Sequence, residues 1–349
     1  MPDQNLIFRR EKEVLFQKYW SAYASTHPAS PRYLLNHIDY FLAYSPNLYK
    51  DKSFVMIKNN QPVACVFLPI EEKDGKRSIS IDDGFISAPI FEKQENLEEQ
   101  IFDEIDRIAK EENVEKIMFS IEPSLREQYS YNFLLQHDYL DASLVSYLVD
   151  CQQISIRRNH KRSIEKILAD KAFSIFVMDK SNADKQIHEQ YCLLHHKCAG
   201  KITRSKETFD YQYKMLQEGN AVLVGLKFQD KFIAFTYFTF HQSSAISFSA
   251  ADDPDYGHLP LYHIVNLEAM RYLQKIGVKW IDMGQPLTIS NQLFYYPDEK
   301  QRNIALFKTG FGGDFRMQFR GVKYFSKSLF LQDVKLFAEK YAEGISEKK

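Results

Sequence analysis

The chain has 349 residues, enough for two domains of ordinary size, and 44% of them are apolar, with 27 Phe and 21 Tyr, which excludes a disordered polymer. Its 45 Lys+Arg and 46 Asp+Glu nearly cancel, which excludes a dedicated nucleic-acid binder, so no DNA partner is expected and any RNA contact must rest on a local patch. No apolar run approaches the ~18 residues of a membrane span, and the start Met1-Pro2-Asp3-Gln4-Asn5 carries an acid and no apolar leader core. The four cysteines (65, 151, 192 and 198) are unevenly spaced and make no disulfide framework, so the composition predicts a soluble cytoplasmic protein.

The predicted elements begin with strands at 53–58 and 62–68, joined by the turn Asn59-Asn60-Gln61, and a further strand at 78–81. A helix follows over 97–111, with Leu97, Ile101, Ile105 and Ile108 as its apolar stripe, and then a strand over 114–121. The next segment, 156–167, is basic. On a helix it would gather Arg158, Arg162 and Lys166 on one face and Ile164, Ile167 and Leu168 on another. Its cationic face is either simply solvated or a phosphate-contacting surface for tRNA, CoA or a pyrophosphate-linked acceptor.

His188, Cys192 and His195 share a helix face at a spacing that metals can use. No further ligand set accompanies them, and Tyr191, Leu194 and Cys198 beside them read as core, so no metal is expected. The order of the first half then repeats. Strands are predicted at 221–228, 232–240 and 244–249, with Gln229-Asp230-Lys231 as the first turn. A helix over 261–275 ends at Gly277, a C-cap, and a strand over 278–283 closes the unit.

Past this point lies Phe307-Lys308-Thr309-Gly310-Phe311-Gly312-Gly313. Two aromatics can anchor this segment in a core, while the glycines permit a tight turn and close approach of a ligand. Lys308 then has a fixed base and a reachable tip, suited to a phosphate, a carboxylate or a developing oxyanion. Four other residues are candidates for the same chemistry. Arg204 can grip an acidic acceptor, and Tyr262, at a helix start, can donate to a phosphate or carbonyl. Glu268, inside the apolar arc of its helix, can act as a base unless Arg271 pairs with it. Asp282 ends a parallel strand, the edge where such sheets place ligands, or else caps the turn at Gly284.

Each half thus reads as β-β-β-α-β, the core order of the GNAT acyltransferases. The second half resembles the FemAB/FemX-like branch of that superfamily and related GNAT proteins of surface-polysaccharide systems. The resemblance covers about residues 150–325. It rests on the basic segment 157–166, on 196–205 and 219–224, on His258-Leu259-Pro260-Leu261-Tyr262, on 277–284, and most specifically on 298–312 with its Phe-Lys pair.

The resemblance implies an α+β (α/β) fold of two tandem GNAT-like domains, each a mixed central sheet flanked by helices. Residues 1–150 would be a degenerate first domain and 151–349 the domain carrying the motif. It implies transfer of an acyl or aminoacyl group to an amine of a cell-envelope precursor, a nucleotide- or lipid-linked sugar or peptide. No bound cofactor is expected, and the donor substrate would be aminoacyl-tRNA or acyl-CoA. Lys308 matches that family's Phe-Lys motif lysine, and together with the positions of Glu268 and Asp282 read above this makes Lys308, Glu268 and Asp282 the expected catalytic residues. Phe307, Arg204, Tyr262, His196, Arg158, Arg162 and Gly312 would bind substrate. The pyrophosphate loop of CoA-dependent relatives is missing, because Asp252-Asp253-Pro254-Asp255-Tyr256-Gly257 is acidic there. Two alternatives stay open: an acyl-CoA-dependent N-acetyltransferase acting on a nucleotide-linked amino sugar, and a non-catalytic ligand-binding scaffold in a glycan-building complex.

Overall fold

A computed structural model describes residues 4–125 and 130–346, so the first three residues, on which the leader reading partly rests, lie outside the described part. Backbone packing divides the chain into two compact units. One takes the described residues of 1–145, 287–302 and 317–349, and the other takes 146–286 and 303–316. Among the described residues no helix is long and apolar enough to cross a membrane.

In the first unit the expected meander is split over two sheets. Strands Gln4–Phe8, Phe54–Lys58, Gln61–Val66 and Ile90–Phe91 form one antiparallel sheet. The chain then leaves it at Phe67-Leu68 and enters a second sheet with Pro69–Lys73, a break favoured by proline, which has no N–H for a ladder. Pro69–Lys73 pairs antiparallel with Lys76–Ile79. Lys76–Ile79 is in turn parallel to Val114–Ser120, across the helix Leu97–Glu111. That helix has the predicted bounds and buries the predicted stripe of Leu97, Ile101, Ile105 and Ile108.

The second unit is built on a seven-stranded sheet. Its order is Phe173–Met178, Ala221–Phe228, Lys231–His241, Ser244–Asp252, Trp280–Asp282, Leu144–Asp150 and Asp314–Gln318. The turns predicted at Asn59-Asn60-Gln61 and Gln229-Asp230-Lys231 form one residue shorter, as Asn59-Asn60 and Gln229-Asp230, with φ of 51° and 60° in the first pair and 49° and 65° in the second. Both central residues left-handed is the turn whose twist matches that of paired strands. The helix Leu261–Lys275 packs on Lys231–His241 and Ala221–Phe228 and buries Leu261, Ile264, Val265, Leu267 and Met270.

A boundary at 150/151 therefore does not describe the chain's path. The C-terminal strand Arg320–Tyr324 returns to the first unit, where it pairs antiparallel with Val114–Ser120. Unpaired strand edges are costly when buried, and this pairing satisfies one. Lys323 also bonds Asp106 at 2.7 Å and Lys116 bonds Asp333 at 3.1 Å, all four residues lying in that unit. The pattern Arg-Gly-Val-Lys-Tyr alternates too weakly to announce a strand.

Ile264 is fully buried under the sheet of the second unit. Ile264→Ala should therefore cost about 2–4 kcal/mol, read as a lower urea midpoint for the second unit's transition with an unchanged slope.

Candidate functional site

The sheet of the second unit contains a short parallel pair. Ser244, Ala245 and Ile246 pair with Trp280, Ile281 and Asp282, after which Ser244–Asp252 runs on without this neighbour. A bulge at Phe248 lies just beyond, where Tyr237 faces Ser249 but Phe238 faces Ser247. Ser247, Phe248 and Ser249 are half-buried and Ala250 is exposed, in what is otherwise a central strand. The strands have parted, and polar backbone groups on both sides of the opening need other partners.

Lys308 supplies one. It is the last residue of the helix Glu299–Lys308, not part of a loop, and its Nζ donates to the carbonyl oxygen of Met283, the first residue past the closing strand. The side chain is half-buried; loss of hydration pulls its pKa from 10.5 to about 8, against the opposing pull of the Asp282 carboxylate. Asp282 is buried and leaves the strand end as a cap: its Oδ1 accepts from Gly284 N at 2.7 Å and Ser146 Oγ at 3.4 Å. Asp282 thus holds the turn and favours the charged form of Lys308.

The base of the lysine is a four-ring cluster. Phe307 meets Phe311 edge-on at 5.4 Å, His160 stacks on Phe311 at 5.0 Å, and His263 lies 5.0 Å from Phe307 and 4.5 Å from His160. Burial, with the His263 and Arg157 charges, brings His160 down to about 4, so it is neutral at pH 7. Gly310 exists for this ring, because an added Cβ would lie 1.4 Å from His160 Cε1. The next glycines also meet the protein's own backbone. Gly312, at φ 76°, would carry its Cβ 2.8 Å from Ser155 N and O, and Gly313 would carry its own 2.4 Å from Leu148 O. The approach read from the sequence as room for a ligand at Gly312 is taken by Ser155.

The other candidates are dispersed. Arg158 and Arg162 are exposed on the helix Arg158–Leu168, as is Leu168, which had been placed on the apolar face. The buried face is His160, Ile164 and Ile167. Those three share the i, i+4, i+7 spacing that could have flagged the histidine. Arg204 is turned inward: Nη2 donates to Tyr191 Oη at 3.1 Å, and to Gln212 Oε1 and Ser249 Oγ at 3.3 Å, with the guanidinium over Phe209. His196 packs edge-on against the same Phe209.

Tyr262 donates to Asp252 Oδ1 at 2.8 Å, and burial with that carboxylate raises its pKa. Glu268 does not stand unpaired in an apolar arc: Arg271 bonds it at 2.5 Å on the outer side of the helix. His188 is core, packed on Tyr191 and Tyr213, and among the described residues no group of three His, Cys, Asp or Glu is arranged to hold a metal. The acidic loop is tied down from within. Asp253 is buried, and although burial alone would raise its pKa, Lys197 and Lys231 bring it to about 2.

Comparison with known proteins places this geometry. Residues 155–289 match the family model described as an acetyltransferase (GNAT) domain. No curated protein matches the chain in sequence. Among solved structures, FemX superposes with a TM-score of 0.62 at 10% identity over 95% of this chain and 99% of its own. The C-terminal domain of a putative lysylphosphatidylglycerol synthetase from Agrobacterium fabrum gives 0.61 at 12% identity over 93% and 97%. A tandem GNAT protein from the clavulanic acid biosynthesis pathway gives 0.50 at 9% identity over 92% and 98%. The chain shares the two-domain fold of FemX and of the tandem GNAT protein, and residues 155–289 match the model of a GNAT acetyltransferase domain.

Two outcomes follow. Gly310→Ala should destabilise the second unit by more than about 2 kcal/mol, and adding His160→Ala should recover part of that loss in urea titrations. Asp253 contributes stability above the unfolded pKa of about 3.8 that is lost as pH falls towards 2. In Lys197→Met/Lys231→Met the same buried carboxylate is uncompensated, so the variant should melt lower at pH 7 and the deficit should shrink as pH drops to 4.

Proposed function

We propose that this tandem GNAT chain transfers an acyl or aminoacyl group to the amine of a cell-envelope precursor, with aminoacyl-tRNA as the donor. The observation that carries the reading is Lys308. It is a half-buried cation on an aromatic base, at the end of a parallel strand where the sheet opens. In the reaction the acceptor nitrogen attacks the donor carbonyl carbon and a C–N bond forms. The carbonyl oxygen becomes an oxyanion that the Lys308 ammonium stabilises, and collapse breaks the bond to the leaving oxygen of the tRNA ribose. The proton lost by the amine ends on that leaving group, and no covalent enzyme intermediate is formed.

With a pKa of about 8, Lys308 is roughly nine-tenths protonated at pH 7, so the charge is present when the oxyanion develops. Asp282 positions this cation and Glu268, held by Arg271, takes no part. The donor assignment rests on the 252–257 loop. Its buried Asp253 is clamped by two lysines, and Pro254–Tyr256 is a short helical turn, a poor cradle for a pyrophosphate. Acyl-CoA is the second donor, favoured by the acetyltransferase model that 155–289 matches. Both donors are cytoplasmic, which is where the protein would act.

The test presents isotopically labelled aminoacyl-tRNA and acetyl-CoA in parallel, with nucleotide- and lipid-linked amino sugars and peptides as acceptors. Lys308→Ala should lower kcat by about 100-fold or more with KM changed only a few-fold. Wild-type kcat should decline as pH rises through 8, whereas Lys308→Arg, charged throughout, should retain its own activity to higher pH. Unchanged turnover in Lys308→Ala would sink the mechanism. Transfer from neither donor would favour a binding scaffold.

A further inference from the structure

The first unit buries four cationic side chains among its described residues: Arg9, Lys116, Lys323 and Arg320. Three have carboxylate partners. Arg9 pairs with Asp39 and Asp51, Lys116 with Asp333, and Lys323 with Asp106. Arg320 has none. It is 7% exposed, its Nε is enclosed without an acceptor, and no hydrogen bond or ion pair joins its guanidinium to any described residue. Its main chain, by contrast, is fully engaged: the carbonyl accepts from Asn132 Nδ2 and Ala142 N, and the N–H donates to Ser143 Oγ.

A buried guanidinium with no counter-charge among the described residues is a costly arrangement for a fold to hold. What surrounds it is an aromatic mount. Its Cζ lies 3.4 Å over the Phe85 ring, and Phe85 is braced edge-on by Phe294 at 6.0 Å. Phe294 sits at φ 61°, the left-handed region that a bulky residue avoids, in a tight turn closed by Gln292 and Tyr295 bonding each other at 2.9 Å. Strain of this kind persists where the surroundings enforce it, and here it holds the ring that backs Phe85. Stacking covers a face of the guanidinium and leaves its in-plane N–H fork to meet a ligand.

The position matters as well. Arg320 is in register with Ser120, the last residue of the parallel strand Val114–Ser120, and Phe85 immediately precedes Ile86–Ser87, which is parallel to the same strand end. The carboxyl end of parallel strands is where open α/β sheets receive ligands. We infer that Arg320 and Phe85 form an oxyanion-binding site in the first unit, which takes a carboxylate or phosphate group bidentately on the guanidinium. Burial already pulls the Arg320 pKa down to about 9, against the opposing effect of Tyr295, and an anion would relieve that penalty. The inference concerns binding alone and stands apart from the transferase reading.

Thermal unfolding of the full chain, at constant ionic strength, tests it with sodium phosphate and sodium acetate titrated in place of chloride. At about ten times Kd the wild-type Tm should rise by about 2–4 °C with at least one of the two anions, and the one that acts identifies the group. Arg320→Met should abolish this rise while melting no lower than wild type in chloride, because a buried unpaired charge has been removed. Phe85→Leu should keep the charge and weaken the response. A phosphate or acetate response unchanged in Arg320→Met would overturn the site, as would its absence in wild type. A lower Tm for Arg320→Met in chloride would also overturn it, by showing the arginine to be an ordinary structural group.

Discussion

A parallel strand pair that stops after three residues is the constraint on which the second unit's chemistry depends. Ser244–Ile246 and Trp280–Asp282 share a ladder, and beyond it the peptide groups that faced this neighbour must find other partners, although Met283 N still donates to Tyr147 O on the other side. Two side chains do this work: Lys308 donates to the Met283 carbonyl and Asp282 accepts from Gly284 N, while Ser146 Oγ donates to the Asp282 carboxylate. The same partings expose Ser247 to Ala250 and bring a cation to a half-hydrated position. Parting of the strands therefore leaves the Lys308 ammonium half-buried beside the strand end.

The cation is costly to hold there, and the aromatic cluster is what makes it possible. Phe311 is fully enclosed, Phe307 and His263 close round it, and the neutral His160 ring fills the place a side chain at 310 would occupy. Rings bring apolar burial without adding charge, so the helix end carrying Lys308 is fixed while the ammonium keeps part of its hydration. A neutral imidazole matters in that setting, since a second buried cation would repel the first.

The two units solve a similar problem with different materials. Each has a parallel pair joined through a helix, and near the carboxyl end of each pair stands a cation. In the second unit it is a lysine bonded to a backbone carbonyl and supported by a carboxylate. In the first it is an arginine laid on a phenylalanine, with a strained turn behind. A lysine tolerates partial desolvation by losing some proton affinity. Arginine loses proton affinity too but starts higher, so it stays charged at neutral pH and is best met by an anion or an aromatic face.

Much of the architecture was legible beforehand because it is local. The helices at 97–111 and 261–275 and the strand at 221–228 appear with their predicted bounds, and both two-residue hairpins form, since period and turn chemistry act over a few neighbouring residues. Lys308 and its two aromatics stood out for the same reason. What each residue faces was not legible, because facing partners come from distant parts of the chain. Gly310 and Gly312 read as room for a ligand and proved to be room for His160 and Ser155, some 150 positions earlier. Glu268 read as a desolvated base, until its helix turned it towards Arg271 and water. Arg320, without an acid partner among the described residues, had no local mark at all, since isolation of a charge is a property of the space around it and exists only once the sheets have closed.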